Sequence, residues 1–204
     1  MEKKMKQLER ACQFDFVQDT QKVFREMLEA IANPGTIRRI TKQAEVWNRK
    51  EGALAALGCV VLDHEKSMFV EKNPHLVELL HDLTLSDEQQ LEAADYVFLS
   101  SELNDASMQE IIKNVKKGTY ADPQESATLF LFCETLKGTE EITRNGPGIS
   151  GEKRIQTTSY IKNALKIRQS FHIEYPLGVD FFFVTEQGEL MSMPRLCKQI
   201  EKEV

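Results

Sequence analysis

The chain has 204 residues and a formal net charge of −6, from 32 acidic against 26 basic side chains. That balance argues against a nucleic-acid wrapper, which needs an excess of lysine and arginine to displace counterions. No run of about 18 apolar residues is present, and the charged segment 1–10 has no apolar stretch behind it, so neither a membrane span nor a signal peptide is expected and the cytoplasm is the expected location.

A chain of this size buries about 70% of its unfolded surface in one core. No Gly-, Ser- or Pro-rich linker divides it, so a single domain over 1–204 is expected, with 1–15 as a flexible or helical N-terminal extension. From 19 to 32, Val23, Phe24, Met27, Leu28 and Ile31 recur at three- and four-residue steps, which predicts a core helix burying all five. Asn33-Pro34-Gly35 stops it, because proline disfavours helix in the residue before it and glycine accepts a left-handed cap. A short strand is expected over 36–41, and the Ala-, Leu- and Val-rich run 53–62 reads as a buried helix or a helix entering a strand, helix being preferred.

Residues 67–70 read as extended, and Asn73-Pro74 supplies an N-cap and a first-turn proline for a helix to about residue 83. The run 95–100 (DYVFLS) predicts a strand and 105–116 a helix, with Met108, Ile111, Ile112 and Val115 at helical spacing. The almost continuous apolar run 127–133 (ATLFLFC) predicts a strand covered on both faces. A strand over 140–144, a glycine-rich turn over 146–151 and a helix over 158–169 follow, before a hairpin of 180–185 with 190–193, ended by Pro194. This order predicts an α/β fold, a mixed β-sheet with helices on both faces.

Few groups suggest chemistry. Gly146-Pro147-Gly148-Ile149-Ser150-Gly151-Glu152-Lys153 approaches the phosphate-cradling pattern, but Glu152 stands where that pattern needs lysine and Arg154 where it needs a hydroxyl. A tight turn needing unusual backbone angles is the preferred reading, with the backbone amides and Lys153 or Arg154 as a candidate anion contact. Ser159-Tyr160-Ile161-Lys162 has the S-x-x-K spacing of penicillin-binding enzymes without their other elements. His64, His75, His81 and His172 form no metal-binding spacing, and Cys12, Cys59, Cys133 and Cys197 stand far apart. The charged break 63–66 reads as a solvated turn. From the residues alone, no catalytic, cofactor or metal site is expected.

In order along the chain, Gln18-Asp19-Thr20-Gln21 with Phe24-Arg25 and Asn33-Pro34-Gly35, then Gly146-Pro147-Gly148-Ile149, Tyr175-Pro176-Leu177-Gly178-Val179-Asp180 and Met193-Pro194-Arg195 resemble the PhnH family, the H subunit of bacterial carbon-phosphorus lyase. The resemblance runs from about residue 16 to residue 197. It implies a cofactor-free variant of the pyridoxal-phosphate-dependent transferase fold, a homodimer, and a cytoplasmic assembly with the G, I and J subunits in phosphonate breakdown. That assembly is associated with joining a phosphonate to the ribose of a nucleoside triphosphate with loss of the base, and the radical step belongs to the J subunit. The resemblance implies no catalytic residue here. Arg25, Gly146, Gly148, Lys153, Arg154, Asp180 and Arg195 are the candidate anion or interface residues, the two glycines being read as structural and Asp180 as one candidate partner for the arginines. The rival reading is a free-standing enzyme or binding protein for a phosphorylated or nucleotide ligand using the 146–154 loop. A third is a dimer that binds pyridoxal phosphate through a lysine Schiff base.

Overall fold

The computed structural model describes residues 13–47 and 50–200, so Cys12 and most of the expected N-terminal extension lie outside the described residues. Phe14, the last apolar residue of that expected extension, is buried with its ring 5.7 Å from that of Trp47.

Helix α1 (Gln18–Ala32) is followed by β1 (Arg38–Arg39), α2 (Thr41–Glu45), α3 (Gly52–Val61), β2 (Ser67–Glu71), α4 (Pro74–Thr84), β3 (Asp87–Glu88) and β4 (Tyr96–Leu99). Then come α5 (Asp105–Asn114), β5 (Thr128–Phe132), β6 (Glu140–Asn145), β7 (Lys153–Thr157), α6 (Ser159–Ser170), β8 (Asp180–Val184), β9 (Glu189–Met193) and β10 (Lys198–Gln199). The main sheet has seven strands in the order β1-β9-β8-β5-β4-β2-β3. Strands β3, β2, β4, β5 and β8 pair in parallel, and the β8–β9 hairpin and β1 add an antiparallel edge. A second, antiparallel sheet has the order β10-β6-β7.

Side-chain alternation assigns the two faces of the main sheet. Register places Phe98 opposite Phe130 and Phe130 opposite Phe182, and their rings stack at 5.0 and 5.4 Å between centroids. This aromatic row packs with the buried residues of α1, α2, α3 and α4. The intervening Val97, Leu99, Leu129, Leu131, Phe181 and Phe183 point the other way and pack with α5, α6 and the small sheet through Ile142 and Ile155. The result is a mixed sheet between two helical layers, as the apolar runs 127–133 and 180–185 predict.

Local signals set the helix ends. The Asn73 side chain accepts from Leu76 N at 3.1 Å with Pro74 in the first turn, and Asn104 and Thr158 cap α5 and α6 through Ser107 N and Ile161 N. Helix α3 is apolar all round and Gly52 to Gly58 are all buried, as expected for a helix enclosed by its neighbours.

The first helix departs from expectation. Val23, Met27 and Ala30 are buried, but Phe24, Leu28 and Ile31 are 49%, 48% and 42% exposed. The contacts of α1 with α3 and β9 are met by one line of side chains, and the second apolar line projects outward as a ridge. Of the strand expected over 36–41 only Arg38–Arg39 forms, because Ile40 N bonds Gly188 O and Ile40 O then accepts from Ala44 N, starting α2. The segment after the glycine-rich turn is a strand, β7, paired with β6.

Candidate functional site

Four of the segments that carry the family resemblance, 33–35, 146–149, 175–180 and 193–195, converge. Antiparallel pairing of Phe181 with Met193 brings the start of β8 beside the end of β9. There Arg195 N donates to Asp180 Oδ1 at 2.7 Å, and its Nε and Nη2 donate to Oδ2 at 3.1 and 2.6 Å. Its remaining amino group, Nη1, donates to Pro123 O at 2.9 Å. The side chains are 17% and 25% exposed, so this is a fork-shaped, largely desolvated pair.

The turn Gly146-Pro147-Gly148 lies against the same region. Gly146 has φ +134° and a Cβ there would stand 2.6 Å from Leu196 O; Gly148 has φ +82° and a Cβ would stand 2.5 Å from Ala32 O and 2.8 Å from Pro34 Cδ. Both positions require glycine for backbone angle and for space. The turn thus ties the end of α1 to the segment after β9. Together Ile31, Pro147, Tyr175, Pro176, Arg195 and Leu196 line much of a groove of about 600 Å³, with Asp180 also in its wall. It adjoins the exposed ridge of α1 at Ile31.

The other candidates fall outside this groove. Alternation along β7 makes Lys153 half-buried and Arg154 exposed, on opposite faces of the strand. Lys153 Nζ donates to Pro34 O at 2.9 Å and to Thr36 Oγ1 at 2.7 Å, and burial lowers its pKa. Its ammonium is engaged in holding the chain after α1. Arg25 is exposed on α1 and makes no hydrogen bond or ion pair among the described residues. Lys162, of the S-x-x-K spacing, pairs with Glu140. Asp63 accepts from Glu65 N and Lys66 N, forming a side-chain-closed turn. Burial pushes the Cys59 thiol up to about 12 and Cys133 well above its ordinary value.

Two buried arginines have no counterpart in the sequence reading. Arg168 of α6 is 8% exposed and donates to the carbonyls of Val179, Met193, Pro194 and Cys197, with its guanidinium 4.7 Å above the Phe181 ring. Arg144 of β6 is 1% exposed. Burial lowers the pKa of each to about 10, and the positive charges of Arg168 on Arg144 and of Arg195 on Arg168 act in the same direction. One signal in the sequence finds Arg144: it stands two residues after Ile142 on a strand and so shares its inward face.

This fold and site define a layered α/β protein in which Lys153, Arg168 and Arg195 brace its own main chain around an open, largely apolar groove. The family described as "Bacterial phosphonate metabolism protein (PhnH)" matches residues 13–199, and the chain belongs to it. It is also similar to a protein of Stutzerimonas stutzeri described as "Putative C-P lyase subunit protein HtxG", 23% identical over 176 residues that cover 86% of this chain and 83% of the relative. Among the described residues no helix is long and apolar enough to cross a membrane, and no group of His, Cys, Asp and Glu is placed to hold a metal ion.

Proposed function

We propose that the chain is an accessory subunit of a carbon-phosphorus lyase assembly, not catalytic by itself, that completes the complex by contact with the G, I and J subunits. In this reading it is a single domain that pairs as a homodimer in the cytoplasm. It supports transfer of a phosphonate to the ribose of a nucleoside triphosphate with loss of the base, on a cofactor-free variant of the pyridoxal-phosphate-dependent transferase fold. Family membership over 13–199 supports the role in phosphonate metabolism, and the description of the Stutzerimonas relative as a putative lyase subunit supports the assembly.

The observation that carries a contact role is the use made of the family-like segments. Pro147-Gly148, Tyr175-Pro176 and Pro194-Arg195 line an open groove, with Pro34 close to Gly148, beside the exposed ridge of Phe24, Leu28 and Ile31. Apolar side chains in such a row favour burial against another protein. Co-expression with G, I and J subunits and purification through a tag on this chain tests the proposal. A stoichiometric complex is expected, disrupted by Leu28→Glu without loss of helix content; recovery of the chain alone would refute the subunit reading.

A further inference from the structure

Among the described residues eight large apolar side chains are exposed, and six of them, Phe16, Val17, Phe24, Leu28, Ile31 and Tyr175, follow α1 and the groove at its end. Val17, Phe24, Leu28 and Ile31 succeed one another at steps of seven, four and three, with Gln21 in the gap. That is the spacing of a seam at which one helix packs along another. The line runs beside the buried Val23, Met27 and Ala30, so the core occupies one of its flanks. On the solvent flank Lys22, Arg25 and Glu29 are exposed, the two cations towards the N-terminal end of the helix and the acid towards the C-terminal end. Lys22 has only the surface contact with Asp19, at 3.1 Å, and that pair is worth little in water.

A helix with this pattern is complementary to a reversed copy of itself. Turned end for end about a point beside Glu26, α1 meets a second α1 with Phe24 over the partner's Leu28, Leu28 over the partner's Phe24 and Gln21 over the partner's Ile31. The same reversal sets Lys22 opposite the partner's Glu29 and leaves Arg25 about one turn from that acid, whereas a parallel copy would set like charges side by side. Glu26, near the axis, is held on its own chain by Arg38 at 2.7 Å. At the ends, Phe16 and the 79% exposed Val17 come over the partner's groove, where Ile31, Pro147 and Tyr175 give an apolar lining. Every contact then occurs twice, as a two-fold interface requires.

We infer that the outward line of α1 is the seam of a two-fold dimer of this chain, with the two helices antiparallel and the N-terminal end of each over the groove of the other. The inference rests on the homodimer reading above and names its surface. The pair is then the unit that meets the other subunits, so opening the seam lowers their recovery as well. A 15-residue helix spans about 22 Å, far less than the extent of an obligate interface of about 2,000 Å² or more. A reversible pair with a Kd in the micromolar range is expected.

Sedimentation equilibrium of the isolated full chain from about 1 to 300 µM tests this, over a range that brackets micromolar affinity. The wild type is expected to pass from monomer to dimer. Leu28→Glu is expected to raise the Kd about tenfold or more, because it sets a charge in an apolar seam, with helix content by circular dichroism unchanged because the side chain is exposed. Lys22→Glu and Glu29→Lys are each expected to raise the Kd about threefold, and the double variant, in which the charges change places across the axis, to return it to within about twofold of wild type. A wild-type dimer unmoved by Leu28→Glu would overturn the seam and leave the homodimer reading standing. A double variant no tighter than the single ones would overturn the antiparallel register and with it the inference. A wild type that stays monomeric throughout would overturn the homodimer reading too. No other subunit enters this measurement, so its failure and a failure to co-purify are separate results.

Discussion

Replacing Asp180 by asparagine removes one negative charge while keeping the shape of the side chain and an acceptor for Arg195 N. What is lost is the charge facing Nε and Nη2 of Arg195, at 3.1 and 2.6 Å, in a place where Arg168 already contributes positive charge. Breaking a fully buried pair by removing one partner costs about 3–5 kcal/mol. Side-chain exposures of 25% and 17% for Asp180 and Arg195 admit some screening, and the surviving backbone bond recovers a further part, so about 2–3 kcal/mol is expected. For a chain of this length that corresponds to a fall in Tm of about 5–10 °C. Urea unfolding of wild type, Asp180→Asn, Arg195→Met and the double variant gives the pairwise coupling directly. A coupling of about 1.5–3 kcal/mol is expected for two groups sharing these bonds. A value below about 0.5 kcal/mol would refute the view that this pair holds the end of β9 to the start of β8.

The glycine-rich turn separates backbone strain from lack of space. Gly148 and Gly151 both have positive φ, +82° and +73°, but only Gly148 faces Ala32 O and Pro34 Cδ, whereas a Cβ on Gly151 meets nothing within 4 Å. Gly151→Ala is expected to cost about 1 kcal/mol from the left-handed backbone alone, and Gly148→Ala about 2–4 kcal/mol because crowding adds to it. Equal unfolding midpoints would show that the turn does not press on the end of α1. A third prediction concerns acid. Burial works to raise the Asp95 pKa, but bonds from Lys116 Nζ and from the Ser67 amide and hydroxyl outweigh it and hold the carboxyl below its ordinary 3.8. A depressed folded-state pKa contributes stability that is complete above the unfolded value and lost as pH falls through the folded one. Asp95→Asn is therefore expected to be less stable near neutrality and to show a shallower decline of unfolding midpoint below pH ~4 than wild type. Parallel declines in the two proteins would exclude Asp95 as a contributor.

Most elements were legible because their local signals agree with their tertiary setting. Asn73-Pro74 caps α4 through its own side chain, and the runs 127–133 and 180–185 are apolar at every step because both faces of β5 and β8 are covered. The errors have one physical source, that a sequence pattern reports side-chain chemistry but not what stands opposite it. Phe24, Leu28 and Ile31 satisfy the same helical spacing as Val23 and Met27, yet α3 and β9 cover only one of the two lines. Lys153 and Arg154 look like the end of a loop until Ile155 and Thr157 are seen to alternate with Arg154 and Gln156, which makes the segment a strand and splits the two cations between faces. Arg144 and Arg168 were passed over for the converse reason, since arginine usually marks surface, and each here occupies an inward position beside apolar neighbours, Ile142 on β6 and Leu165 on α6. A buried guanidinium persists only where the fold gives it acceptors or a counter-charge. Arg168 has its carbonyls and Arg195 has Asp180, so these cations sit inside the fold at positions that composition alone assigns to solvent.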